Sequence, residues 1–169
     1  MMGPRMVFKA PITMKVWMML AMTPAPVLGK SLCHANEEIV LSCNVKSAKT
    51  FSFCRAQAPS EEITYRFGKS ENIELEHKDK IGPSSSFFYG HYSRYHVDIS
   101  HIGFEASGHV YTGYREWDED DANPSEGLRV VTPSGVDVTL VCVGPARYDR
   151  LYDTRDLRCS DSGPVGCSQ

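Results

Sequence analysis

A short polar turn leading into an aromatic strand is the segment of this sequence best suited to chemistry. Within residues 104–114, Ser107 supplies a hydroxyl that can donate and accept a hydrogen bond. Gly108 allows tight backbone curvature and close approach of another chain. Tyr111 can brace such a turn with its ring and its hydroxyl. The pattern predicts a loop able to enter the cleft of another protein and hydrogen-bond to acidic groups there. The alternative is an ordinary connection between two strands.

The motifs of common enzyme classes are absent from the sequence. It contains no G-x-S-x-G elbow, Walker loop, GxGxxG or HExxH segment. Glu74 and Glu76 would lie on one face of a strand, and paired carboxylates can do acid–base work. Two glutamates on a solvated face are, however, the commoner arrangement. We therefore predict a protein without catalytic activity.

The histidines and acidic residues offer weak signals for metal or partner binding. His91, His96 and His101 recur every five residues, and on a strand this odd spacing puts neighbours on opposite faces. Residues 118–121, together with Glu126, predict a dense acidic loop that lacks the spacing of an EF-hand. Such a loop is either simply solvated or attracts a cationic protein. No metal site and no cofactor are expected.

The N-terminal segment has the pattern of a secretory signal. Residues 1–29 contain three basic residues and no acidic residue, and residues 16–22 form a short apolar stretch. A positive region, a short apolar region and a small residue before a cut are typical of such signals. Cleavage before Lys30 is predicted, with cleavage after Ala25 as its rival and an uncleaved membrane anchor as the alternative. We expect contact with a membrane only through this transient segment.

The remaining chain is acidic and rich in cysteine. Residues 30–169 carry 15 Lys and Arg against 21 Asp and Glu, and the whole sequence has a pI near 6.1. This balance excludes a generally basic nucleic-acid-binding protein. An even number of cysteines in an exported chain indicates disulfides. All six cysteines are therefore predicted to be disulfide-bonded: Cys33, Cys43, Cys54, Cys142, Cys159 and Cys167.

The pairing of the cysteines is not determined by the sequence, since six cysteines allow 15 connectivities. Cys159 and Cys167 are close enough to close a small C-terminal loop. Cys43 and Cys54 flank a predicted hairpin and could bridge it, although the alternation of residues along the two strands weakly opposes this pairing.

Short β-like runs separated by turn residues dominate the chain from residue 30 onward, and no long segment has helical spacing of apolar residues. Eight or nine strands predict an all-β domain over residues 30–145, either an antiparallel β-sandwich or a barrel. Residues 146–169 are expected to form an irregular, disulfide-containing tail. The predicted strands are residues 38–45, 50–54, 63–67, 73–76, 87–89, 95–99, 109–114, 128–131 and 136–142. Loops are predicted at residues 78–85 and 90–94, and a hairpin turn at residues 133–135.

The segment from Ser107 to Tyr111 fits the S-G-x-x-Y pattern shared by bacterial periplasmic lysozyme inhibitors. The chain resembles both the C-type group and the group that acts on invertebrate-type lysozyme, and is more similar to the latter. This resemblance covers residues 97–142, including Tyr114-Arg115 and residues 127–130. A broader likeness to uncharacterised exported bacterial proteins covers residues 43–145 and implies no activity.

The resemblance implies that the turn plugs the active site of a lysozyme-like cell-wall hydrolase. Ser107 would be the inserted group, Gly108 the hinge, Tyr111 the brace and Arg115 a contact at the rim of the cleft. The C-type pattern has a lysine directly before the tyrosine, where this chain has valine, and a protonated His109 would partly replace that cation.

Two other functions remain open. The chain could be a periplasmic immunity protein against a secreted antibacterial toxin, or a non-catalytic structural or ligand-binding module of the bacterial envelope. Each of these readings predicts a periplasmic or secreted bacterial protein. The sequence gives no prediction of its oligomeric state.

Overall fold

Two β-sheets packed face to face form the body of the protein. The structure, a computed structural model, describes Gly3, residues 30–160 and Cys167. Apart from Gly3, the predicted signal segment lies outside the described residues. No helix among the described residues is long and apolar enough to cross a membrane. The prediction of an all-β fold is confirmed, and of its two forms the structure adopts the sandwich.

The first sheet has four antiparallel strands that follow one another in chain order. Alternation explains its inner face: Ile63, Tyr65 and Phe67 point into the core, whereas Thr64 and Arg66 point outward. The strands are β1 (Glu37–Val45), β2 (Lys49–Ala56), β3 (Glu62–Lys69) and β4 (Asn72–Lys80).

The second sheet has six strands in the order β10-β5-β6-β7-β8-β9. All its pairings are antiparallel except the short parallel pairing of β10 with β5. Its strands are β5 (Phe87–Arg94), β6 (Val97–Ala106), β7 (His109–Asp118), β8 (Ser125–Val131), β9 (Asp137–Val141) and β10 (Arg158–Cys159).

The core lies between the two sheets and is rich in aromatic rings. Phe53 of β2 lies 5.0 Å from Tyr65 and 6.4 Å from both Phe87 and Phe104, measured between ring centroids. Gly113 lets the sheets approach closely here, because a Cβ atom at this position would come 2.7 Å from the Phe53 ring. Each fully buried ring contributes about 2–3 kcal/mol of hydrophobic stabilisation.

Two predicted loops are wrong because long-range pairing overrides local turn signals. Residues 90–94 belong to β5, where Gly90 pairs with His101, and the chain turns instead at Tyr95 and His96. The predicted loop at residues 78–85 begins later, since β4 continues to Lys80 opposite Glu62. The predicted hairpin turn at residues 133–135 is confirmed, with Val131 paired to Asp137.

Three disulfides join the cysteines, as expected from the even count. Cys159–Cys167 closes the small C-terminal loop, as predicted. The suggested Cys43–Cys54 bridge is wrong, because Cys43 lies opposite Phe51 in the β1–β2 register and Cys54 lies opposite Ile39. The actual bridges are Cys33–Cys54 and Cys43–Cys142. Disulfides of this number are typical of proteins from oxidising compartments.

The C-terminal segment is mostly irregular but packs onto the sandwich. Its regular elements within residues 146–160 are a 3₁₀ turn at Leu151–Asp153 and the two-residue β10, which adds a strand to the eight or nine predicted. Ala146, Leu151 and Leu157 are buried against the core. This segment therefore contributes apolar side chains to the core between the sheets.

Candidate functional site

The Ser107-Gly108 turn caps the hairpin formed by the two longest strands. β6 and β7 pair along ten positions up to Ala106 opposite His109, which leaves only two residues for the turn. Ser107 has φ 50° and Gly108 has φ 74°, the signature of a type I′ turn. This turn matches the right-handed twist of the flanking strands, and both of its residues are exposed. The hydroxyl of Ser107 is therefore presented on a stiff support.

The turn lies against the neighbouring β8–β9 hairpin. A Cβ atom at Gly108 would come 3.0 Å from Cγ of Pro133, so glycine meets both the positive φ and the close approach. The β8–β9 turn is itself ordered by its side chains, since the backbone N–H of Val136 donates to Oγ1 of Thr132. Two adjacent hairpin tips thus form one end of the sandwich.

Tyr111 and His109 support the turn from the first residues of β7. The Tyr111 ring stacks on the buried Phe104 ring, with centroids 4.6 Å apart, and lies 5.9 Å from the Tyr65 ring. Nδ1 of His109 lies 3.2 Å from the carbonyl oxygen of Ser107, a hydrogen bond in the tautomer that carries its proton on Nδ1. The structure therefore brings Ser107, Gly108, His109 and Tyr111 together.

Arg115 is the one predicted site residue that the structure does not bring to the turn. It lies six residues along β7 from His109, about 20 Å away at the usual rise per strand residue. Its side chain is 14% exposed and pairs with Glu126 at 3.4 Å, and its guanidinium lies 4.6 Å from the centre of the Tyr148 ring. Arg115 thus forms part of a partly buried ionic and aromatic cluster.

Glu126 does not belong to the acidic loop, contrary to the sequence interpretation. Its side chain is 7% exposed and accepts a hydrogen bond from the backbone N–H of Ala146 in addition to the pairing with Arg115. The acidic segment consists of the last residue of β7, Asp118, and the three residues after it, at the end of the strand opposite to the Ser107-Gly108 turn. Its partly exposed carboxylates therefore lie far from the turn.

The three regularly spaced histidines do not share a face of the sheet. His91 points toward the inner side of the second sheet and lies 3.2 Å from Asp98, whereas His101 points outward and lies 3.2 Å from Glu116. His96 occupies the β5–β6 turn and contacts Glu119. Each histidine therefore has an acidic neighbour of its own, in keeping with the predicted divergence of the three side chains.

A hollow on the outer face of the second sheet is a feature that the sequence reasoning missed. It has a volume of about 430 Å³ and includes His101, Tyr114 and Glu116 in its lining. The hydrogen bond from His101 lowers the pKa of Glu116, although partial burial opposes this. Burial raises the pKa of Tyr114. The signal in the sequence was a pair of glycines on strands β6 and β8, Gly103 and Gly127, but their shared face can be identified only once the strand register is known.

Comparison with protein-family models, with characterised proteins and with solved structures yields no match for this chain.

Proposed function

We propose that this protein is an exported inhibitor of a lysozyme-like cell-wall hydrolase, and that its Ser107-Gly108 turn enters the active-site cleft of that enzyme. The observation that carries the proposal is the exposure of these two residues at the tip of a ten-position hairpin. A plug needs such a support, because a flexible loop would lose conformational entropy on binding. The predicted secretory signal and the three disulfides support an extracytoplasmic location, which is where cell-wall hydrolases act.

The chemistry of the tip suits a cleft that contains catalytic carboxylic acids. The Ser107 hydroxyl can donate to an ionised carboxylate or accept from a protonated carboxyl group. Because Gly108 carries no side chain, the backbone can approach the walls of a narrow cleft. A protonated His109, half-exposed beside the turn, would add a positive charge that a carboxylate attracts. Net negative charge over residues 30–169 favours the approach of a basic enzyme.

Inhibition assays on three classes of lysozyme test the proposal directly. The mature protein, residues 30–169, is incubated with chicken-type, goose-type and invertebrate-type enzymes while lysis of cell walls is followed. We expect inhibition of the invertebrate-type enzyme, because the resemblance of residues 97–142 is greatest to inhibitors of that class. If none of the three enzymes is inhibited, the proposal fails.

The variant Ser107→Asn separates the role of the hydroxyl from the role of the turn. Asparagine is favoured over serine at the first central position of a type I′ turn, so the variant should be at least as stable as the parent protein. It nevertheless replaces the hydroxyl with a larger amide, and inhibition should weaken by at least tenfold.

The matched control is Ser70→Asn. Ser70 is an exposed serine in the two-residue turn between β3 and β4, so the same substitution is made at a hairpin tip of the other sheet, although Ser70 does not share the positive φ of Ser107. It should leave inhibition unchanged. Equal inhibition by the Ser107→Asn and Ser70→Asn variants would remove the turn from the mechanism.

A further inference from the structure

The hollow on the outer face of the second sheet is created by missing side chains. Gly103 and Gly127 occupy outward-facing positions on β6 and β8, as the strand registers show. The resulting volume of about 430 Å³ falls within the range of roughly 300–1,000 Å³ that is usual for small-molecule sites. It is separate from the Arg115 cluster, which lies on the inner face of the same sheet.

The rings of two aromatic side chains lie flat over these glycines and do not project away from the sheet. A Cβ atom at Gly103 would come 2.5 Å from the Phe88 ring, and one at Gly127 would come 2.7 Å from the hydroxyl oxygen of Tyr114. Phe88 is covered by the guanidinium of Arg158, 5.5 Å from its ring centre, and is only 3% exposed. Tyr114 stays partly exposed and gives the hollow an accessible aromatic ring.

Beside the Tyr114 ring, a row of polar side chains crosses the part of the sheet that forms the floor of the hollow. Thr112, Arg129 and Thr139 are direct neighbours on β7, β8 and β9. Nε of Arg129 donates to Asp137 at 2.8 Å, so its charge is already compensated. Among the described residues, the hydroxyls of the two threonines have no hydrogen-bond partner. Each hydroxyl is therefore available to a ligand both as donor and as acceptor.

We propose that this hollow binds a short oligosaccharide. A pyranose ring has an apolar face of C–H groups, which the negative face of an aromatic ring such as Tyr114 attracts. It also carries hydroxyls that match the mixed donors and acceptors of Thr112, Thr139 and the half-exposed Glu116.

Other ligand classes fit the lining less well. An extended peptide would find too few partners for its own backbone, because the floor is a sheet face whose N–H and C=O groups are used in the strand ladders and which offers only a few side-chain groups. An anion would meet the carboxylate of Glu116, while Arg129 is engaged by Asp137 and Arg158 by Glu105. An acyl chain would bury too many polar groups. A neutral sugar avoids each of these costs.

Titration of the mature protein with three trisaccharides tests the proposal. Chitotriose, cellotriose and maltotriose are each added up to about 10 mM, at which a dissociation constant of about 1 mM gives near-saturation. Binding is read from the heat released and from the NMR shifts of the Tyr114 ring. We expect at least one of the three sugars to bind and to shift these signals. Absence of heat and of shifts with all three sugars would overturn the proposal.

Substitutions in the hollow identify the binding surface. Tyr114→Leu and, separately, Thr112→Val should each weaken sugar binding by about tenfold, since one removes the ring and the other the hydroxyl. Because Thr112→Val preserves the shape of the side chain, it keeps the test informative if the Tyr114 variant folds poorly. Tyr92→Leu is the matched control: this tyrosine is also outward-facing and exposed, but it lies outside the lining. Sugar binding that survives both substitutions in the hollow would overturn the proposal.

The two proposals can fail independently. Thr112→Val should leave inhibition of lysozyme unchanged, and Ser107→Asn should leave sugar binding unchanged, because the turn lies outside the lining of the hollow.

Discussion

The ring of Tyr111 stacks on the ring of Phe104, its cross-strand neighbour, with centroids 4.6 Å apart and planes within 5° of parallel. Phe104 is fully buried and lies 4.9 Å from Tyr65 of the opposite sheet. This stack fixes the β6–β7 hairpin to the core only a few residues from its tip. The rigidity of the exposed Ser107-Gly108 turn therefore depends on an interaction that spans both sheets.

Loss of the stack should lower both stability and inhibition. We expect Tyr111→Ala to reduce the free energy of unfolding by about 2 kcal/mol, because it removes a half-buried ring and its aromatic contact. Tyr111→Phe keeps the stack and should cost less than about 0.5 kcal/mol. Urea denaturation measures both changes.

In the inhibition assay, Ser107→Ala combined with Tyr111→Ala should weaken binding by well over tenfold. An alanine variant at position 111 that is as stable as the phenylalanine variant would contradict the bracing role of the ring.

The sequence predicts those parts of the fold that local patterns determine. Alternation of Ile63, Tyr65 and Phe67 identifies β3 because a strand with one buried face needs apolar residues at every second position. The turn at residues 133–135 can be predicted from the sequence because its glycine, Gly135, supplies the required positive φ. Cys159 and Cys167 are close in sequence, so their pairing needs no knowledge of the tertiary structure.

The remaining features depend on contacts between segments that are distant in sequence. Gly90 begins a segment whose residue types are typical of a turn, but in the sheet it lies opposite His101. The sequence alone assigns Glu126 to an acidic loop. In the structure its carboxylate pairs with Arg115 of the adjacent strand and accepts a hydrogen bond from the backbone N–H of Ala146. The hollow likewise needs the registers of four strand pairs, which alternation along a single strand does not supply.

The Cys43–Cys142 bridge should contribute more stability than the Cys159–Cys167 bridge. The first joins β1 to the residue that follows β9 across a sequence separation of 99, whereas the second spans 8. When both cysteines of a pair become alanine, loop-closure entropy predicts that the free energy of unfolding falls by about 4–5 kcal/mol for the Cys43–Cys142 pair and by about 2–3 kcal/mol for the Cys159–Cys167 pair. Urea denaturation of the two double variants gives the comparison. Equal losses would indicate that strain or residual structure in the unfolded chain, and not loop length, governs the effect.

Stability should fall in acid partly because of a buried ionic cluster on the outer face of the first sheet. The side chain of Arg66 is 6% exposed and donates to Glu37 at 2.6 Å and to Glu76 at 2.8 Å. Burial opposes ionisation of Glu37, but hydrogen bonds from Arg66 and from the backbone N–H of His34 outweigh it and lower the pKa of Glu37 below its ordinary value of 4.5. The ionised form of Glu37 therefore stabilises the fold.

Because the pKa of Glu37 is lower in the folded than in the unfolded chain, its contribution is fully present above about pH 4.5 and is lost as the pH falls through the folded value. Glu37→Gln should lower stability at pH 7 by about 1–3 kcal/mol. It should also reduce the dependence of stability on pH in the acid range. Urea unfolding at several pH values measures both effects, with Glu61→Gln, at an exposed glutamate, as the control. An acid dependence identical in the Glu37→Gln variant and the parent would refute the assignment.

The acidic loop at residues 118–121 should have little influence on inhibition at physiological ionic strength. It lies at the far end of β7 from the Ser107-Gly108 turn, about 30 Å along the strand, whereas charges are screened over about 8 Å at 0.15 M salt. Asp120→Asn combined with Asp121→Asn should therefore change the inhibition constant by less than about twofold.

Glu105 provides the comparison, because this half-exposed carboxylate lies two residues before Ser107. Glu105→Gln should slow association with a basic enzyme and reduce the salt dependence of the rate, as expected for a charge at the rim of an interface. Association rates at two salt concentrations distinguish the two variants. A larger effect from the loop variant than from Glu105→Gln would mean that the target enzyme contacts the acidic end of the sandwich and not the turn.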